Sequence, residues 1–211
     1  MIRIPQKMKD KITDSDLVDE RLSDYFWNNQ SLITNYAKGR LLGVKAEYEA
    51  HKEYLSEDQF NHYVGDLDNP DTTSNFKSTL RLIFGYNLLV PTLTHNMIKL
   101  YSEEASELLE KEVSSEYKNK SEEMMKLCTE DHLFGTTEVG LQVFLAYKNS
   151  GWDIYYMIDE WLPQHLHLWL QVKILKSEHQ GSGSIKRGKH TIEEKVALVH
   201  YDEANIKVKV I

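Results

Sequence analysis

One cysteine, Cys128, is all the thiol chemistry this 211-residue chain carries. A lone thiol cannot close an internal disulfide, so the fold rests on burial, and a reducing, cytoplasmic setting is expected. Glycine and proline are sparse, ten and four, and no internal repeat or low-complexity run is present. None of the glycines builds a phosphate loop: neither Gly-x-x-x-x-Gly-Lys-Ser/Thr nor Gly-x-Gly-x-x-Gly occurs. A Gly-x-Ser-x-Gly nucleophile elbow is missing too.

Long apolar runs are also lacking. The most apolar neighbourhood, Leu80 to Leu93, is interrupted by Arg81, Asn87 and Pro91. It is shorter than the ~20 residues a membrane-spanning helix needs, so no membrane partner is expected and the segment reads as a buried core helix. Met1 to Asp16 contains lysines with no apolar run behind them, so no secretory signal is expected.

What is present is a core and an uneven charge. Hydrophobic residues make up 41% of the sequence, enough for a chain of this length to bury roughly 70% of its unfolded surface without a metal or disulfide staple. Net charge is -8, but residues 173–211 hold eight Lys and Arg against five Asp and Glu, leaving residues 1–172 with 17 against 28. A body at -11 repels nucleic-acid phosphates, which argues against direct DNA or RNA binding, and it attracts a basic protein.

The hydrophobic periodicity predicts a mainly α fold, a single-domain bundle-like core with a small C-terminal β-hairpin. Thr13 with Asp16 suggests an N-terminal cap, and Asn28 or Asn29 a second one, followed by Leu41, Val44, Tyr48 and Leu55 at helical spacing up to polar Ser56–Asp58. Thr73 or Ser74 opens a central helix over Phe76–Val90, with Leu80, Ile83, Phe84 and Leu88 expected in the core. Met97, Tyr101, Ala105 and Leu108 extend the helical pattern to about Val113. Tyr117, Met124, Met125 and Cys128 share one face of a short helix, and Thr137 to Asn149 forms another, stopped by Gly151. Asp153 caps a last helical region, in which Leu166 to Ile174 also alternates as a strand would. Helix is the favoured reading there.

The domain reading is an acidic helical domain over 1–179, then a linker and hairpin over 180–211. Gln180-Gly-Ser-Gly-Ser184 has linker composition. Lys195–Tyr201 and Ile206–Ile211 flank the polar turn Asp202–Asn205, and Ile206, Val208 and Val210 alternate with Lys207 and Lys209. The hairpin is expected to dock on the helices of its own chain, with a homodimer through it as the second arrangement.

Five clusters are candidates for chemistry. Asp159, Glu160, His165 and His167, near Asp153, are metal-ligand types, although two histidines two apart point away from each other on a helix. Glu47 and His51 lie one helical turn apart, with Lys45, Lys52 and Glu53 around them, and read as a solvated face. Cys128 beside Met124 and Met125 reads as an inert core thiol. Arg187 and His190 are three apart beside a glycine and form no helical Arg/His pair. Ser102 to Asp131 holds ten Asp and Glu against four lysines, and Glu103, Glu104, Glu107, Glu110, Glu122 and Glu123 are the expected docking residues for a basic partner. No cofactor is called for. The leading expectation is a stoichiometric inhibitor of a basic protein, as immunity proteins and antitoxins are for nuclease toxins. A metal-dependent enzyme or small-ligand binder at Asp159, Glu160, His165 and His167 is the alternative.

Overall fold

The structure is a computed structural model and describes residues 6–10, 12–67, 74–89, 97, 99–183 and 205–211. After the short helix α1 (Gln6–Lys9) comes α2 (Ser15–Tyr54), a single helix of 40 residues, about 60 Å long at 1.5 Å per residue. The second cap expected at Asn28 or Asn29 does not interrupt it. Asn29 instead turns its side-chain amide back onto the Tyr25 carbonyl at 2.9 Å, satisfying itself within the helix. The expected Thr13 cap is replaced as well. Asp14 precedes the helix in a left-handed conformation with no side-chain capping bond, and the Thr13 hydroxyl donates to the Val208 carbonyl at the far end of the chain.

Helix α3 (Glu57–Val64) starts where the sequence suggested only an end. Ser56 and Gln59 form a capping box, each side chain accepting from the other's backbone N–H. Gly65 closes α3 at a φ of 66°, and a Cβ there would stand 2.5 Å from that of Ser74. Ser74 caps α4 (Asn75–Leu80) as anticipated, its hydroxyl accepting from Lys77 N–H and donating to the Val64 carbonyl. The helix then widens into π turns over Arg81–Tyr86. That register shift leaves the Phe84 carbonyl to accept the Trp169 indole N–H at 2.8 Å in the core. Leu80, Phe84 and Leu88 are buried as predicted, while Ile83 is half-buried and Leu82 is exposed. The helix is central but not apolar all round. Val90 and Pro91 lie outside the described residues.

From Leu100 onward the helical pattern fails. Strand β1 (Leu100–Ser102) leads directly into α5 (Glu103–Glu110), and α6 (Lys120–Leu127) leads into β2 (Cys128–His132). Helix α7 (Thr136–Asn149) ends at Gly151, whose φ is 72°. Next comes α8, π-helical over Tyr156–Trp161, α-helical over Leu162–His165 and tightened to a 3-10 turn at Leu166–Trp169. Its start is capped by Asp153, whose carboxylate accepts from Tyr155 and Tyr156 N–H. The ambiguous segment is divided: helical through Trp169, then strand β3 (Gln171–Leu175). Helix α9 (Lys176–Gly183) runs across the expected domain boundary and through most of the expected linker. Strand β4 (Val208–Val210) ends the sheet.

The sheet order is β2-β3-β1-β4, with β3 antiparallel to β2 and parallel to β1, and β4 antiparallel to β1. The tail therefore docks within its own chain, its backbone pairing with β1 and its Ile206 and Val208 side chains packing into the core that the helices cover. The other half of the expected hairpin, Lys195–Tyr201, lies outside the described residues. Ile12, Thr13 and Arg21 meet the tail here. Ile12 bridges Val208, Thr13 N–H donates to the Val208 carbonyl at 3.0 Å, and Arg21 donates to the Ile211 carbonyl at 3.0 Å.

One sheet face turns Leu100, Val172, Ile174 and Val208 into the main core against the helices. The other carries Cys128 and, half-buried, Tyr101 and Leu175, which pack with Ala105, Met124, Leu108 and Leu109 into a second small cluster under α5 and α6. In the main core, two glycines bring α7 against the α4 helix. A methyl group at Gly140 would stand 2.5 Å from the Leu80 carbonyl oxygen, and one at Gly85 would collide with the Thr136 carbonyl.

Candidate functional site

The outer layer, α5 and α6 on the sheet, holds the acidic residues singled out above. Ser102, fully buried, caps α5 by accepting from Ala105 N–H and donates to Glu178 at 2.7 Å. Glu178 also accepts from Leu175 N–H at 2.6 Å, so the start of α9 is anchored to the start of α5. Lys207's carbonyl accepts from Glu103 N–H at 2.9 Å, which ties the C-terminal strand to the same point.

This scaffold sorts the six predicted docking residues into two groups. Glu104, Glu107 and Glu110 are exposed on α5, and half-buried Glu103 pairs with Lys209 at 3.2 Å. Glu107 reaches Lys111 at 3.5 Å, an exposed i,i+4 pair of little energetic consequence. Glu123 belongs elsewhere. It is buried, bonded to Lys120 at 2.6 Å and accepting from Ser114 N–H at 3.2 Å, and the Lys120 hydrogen bond holds its carboxyl below the usual carboxylate range. Lys120 also donates to the Leu108 carbonyl at 2.9 Å, so this pair pins the α5–α6 connection. Glu122 is half-buried and accepts from Lys118 N–H at 3.0 Å, closing the turn before α6. Glu122 and Glu123 are thus structural, and of the six the exposed ones are Glu104, Glu107 and Glu110 on α5, while Glu112, Glu116 and Glu130 are exposed beyond that helix.

Two grooves flank that helix. One, of about 770 Å³, is lined by Glu103, Glu104 and Glu107, by Lys111, Lys126 and Lys176, and by Leu108, Leu127 and Leu175, among others. The second, of about 690 Å³, is lined by Tyr101, Met124, Met125, Cys128, Glu130 and Lys173, among others. Met125 is 68% exposed, so the predicted shared apolar face of Met124, Met125 and Cys128 is split. Cys128 itself opens β2 and is buried, and desolvation pushes its thiol pKa up. A thiol so placed is a poor nucleophile. Sequence reasoning missed Leu127 and Leu175 as groove lining, because each sits at a junction between helix and strand where neither period applies.

The alternative metal cluster is dispersed. Asp159 and Glu160 are exposed, His165 is half-buried and His167 is buried. Among the described residues no three His, Cys, Asp or Glu side chains gather closely enough to hold a metal ion. His165 stacks on Trp161 at 4.1 Å and donates from Nδ1 to the Trp161 carbonyl at 2.6 Å. Burial pushes its pKa down, against that hydrogen bond. His167, 5% exposed, sits edge-on to Phe134, with its Nδ1 making no hydrogen bond among the described residues. Burial first, and the His165 ring second, push its pKa down to about 3, so it is neutral at pH 7.

Glu47 and His51 are not a free solvated pair. Glu47 accepts from the Tyr63 hydroxyl, and His51 stacks on the Tyr63 ring at 3.9 Å, clamping α3 to α2. Arg187 and His190 lie outside the described residues. No helix among the described residues is long and apolar enough to cross a membrane. No family model, curated protein or solved structure matches the chain.

Proposed function

We propose that this chain is a stoichiometric protein-binding protein that captures a basic partner on α5 and the groove beside it. The observation that carries the reading is the pairing of Glu104, Glu107 and Glu110 on an exposed helix with a 770 Å³ groove lined by Leu108, Leu127 and Leu175. Exposed carboxylates steer a cationic partner and set its orientation, while the apolar lining supplies the burial that holds it. Shielding of a basic active surface, the role of immunity proteins and antitoxins, is the class of function this suits.

The test compares the native chain with a Glu104→Lys, Glu107→Lys, Glu110→Lys variant as baits in the extract of a cell that makes the protein. A single basic protein should be retained one-to-one by the native bait, released by about 1 M salt, where screening acts within ~3 Å, and associate at least about tenfold more slowly with the variant. Its own activity should be suppressed in the complex. Retention unchanged by charge reversal and salt would refute the surface, and a partner whose activity is untouched would refute the inhibitory role.

A further inference from the structure

Sulfur is scarce in this chain, six methionines and one cysteine, yet Met124, Met125 and Cys128 all line the 690 Å³ groove that α6 forms with the outer face of the sheet. Packing accounts for two of them. Met124 and Cys128 are buried, 6% and 4% exposed, in the small cluster with Ala105. Packing does not account for Met125, which lines the same groove while 68% exposed. The three reach the groove from different directions because the backbone changes character between them. Met124 and Met125 are neighbours near the end of α6, about 100° apart around its axis. Cys128 has left the helix for extended backbone, φ -107° and ψ 162°, while its N–H still donates to the Met124 carbonyl. The single face expected from helical spacing thus becomes lining on more than one side of a cavity.

Two thioethers and a thiolate are soft donors, and soft donors select copper(I) over the hard divalent ions. Thioether side chains turn about three bonds, so Met124 and Met125 can close on an ion without moving the helix. Charge fits as well. The lysines Lys173 and Lys176 and the carboxylates Glu123 and Glu178 act on the Cys128 thiol in opposite senses. A singly charged ion on one thiolate adds no net charge to this desolvated place, whereas a divalent ion leaves one charge uncompensated. We propose that Met124, Met125 and Cys128 form a copper(I) site, which silver(I) also fits. On binding, the Cys128 S–H bond breaks, its proton passes to water and a sulfur–copper bond forms. No electron moves, and the copper enters and stays as copper(I). Metal binding drives this deprotonation although burial holds the free thiol protonated. The thioethers complete the coordination as neutral donors, and the ion ties the end of α6 to the start of β2.

The inference is independent of the reading of α5, because none of the three residues lines the groove proposed to hold a basic partner. Its test is an oxygen-free titration of copper(I) into the intact chain, in competition with bicinchoninate, a chromogenic copper(I) chelator. The chain should withhold one equivalent and release one proton per ion, and X-ray absorption should show a shell of sulfur alone. Met124→Leu and Met125→Leu conserve side-chain volume and should each weaken binding at least about tenfold, with the circular dichroism of the metal-free protein unchanged. Cys128→Ser should weaken it at least about 1,000-fold. Should the serine variant fold poorly, the leucine variants decide. Equimolar zinc should not displace the copper. A native chain that withholds no copper(I) overturns the proposal, and so does a shell of nitrogen or oxygen. Either leucine variant binding as tightly as the native chain also overturns it, since the three-residue site would then lack a donor.

Discussion

Lowering the pH from about 7 to about 5 should destabilise this protein through His167 before its carboxylates begin to titrate. A histidine in the unfolded chain takes up a proton near pH 6.5, whereas folded His167 does so only at about 3. Below pH 6.5 the unfolded state therefore binds more protons, and stability falls as pH falls, continuing until the folded pKa is reached. At 1.36 kcal/mol per pH unit, the loss by pH 5 is about 2 kcal/mol. That is a large part of the ~5–15 kcal/mol by which domains are stable. It does not depend on the depth of the folded pKa, provided this stays well below 5. His165, whose pKa is also depressed by burial, adds to the same slope. The assay is urea unfolding at a series of pH values for the native chain and His167→Phe, a ring that suits the edge-on contact with Phe134. The comparison is between the two slopes, so the variant's starting stability does not enter it. The native chain should lose about 2 kcal/mol more than the variant over this interval. Parallel curves would show that His167 is protonated in the folded state as readily as in the unfolded one, and the burial argument would fail.

Two further perturbations test the packing. Gly140→Ala places a methyl 2.5 Å from the Leu80 carbonyl oxygen and should cost about 1–3 kcal/mol of unfolding free energy, whereas unchanged stability would mean that α7 and α4 are not in that contact. Deleting Ile206–Ile211 removes the buried side chains of Ile206 and Val208 and uncovers the β1 edge. It should cost at least about 3 kcal/mol and lower Tm clearly, and a truncated chain that melts with the native one would exclude the docked strand.

The helices with one buried face were legible because a 3.6-residue period is a local signal: Leu80, Phe84 and Leu88 were found from spacing alone, and Ser74 from its capping chemistry. The sheet was not, for a reason visible in its dimensions. Strands β1 and β4 are three residues each and β2 and β3 five, too short for alternation to be told from a helical spacing that shares the same apolar positions. Leu100 and Ala105 are both buried and sit at a plausible helical spacing, yet a strand ends and a helix begins between them. What decides β1 is remote. Its backbone groups are taken by Val172 and Lys173 on one side and by Val208 to Val210 on the other, roughly 70 and 110 residues later in the chain. The tail was recognised as a strand because it alternates apolar residues with lysine, but its partner was itself hidden inside a helical pattern. The acidic surface shows the same division. Composition marked ten carboxylates between Ser102 and Asp131, but the fold decides which are spent on structure: Glu123 on Lys120, Glu122 on the turn before α6, Glu103 on the C-terminal strand. Glu104, Glu107 and Glu110 remain facing outward because α5 needs only its other side, Ala105 and Leu109, to cover the sheet. A charge pattern thus becomes a surface only once the neighbours that neutralise part of it are known.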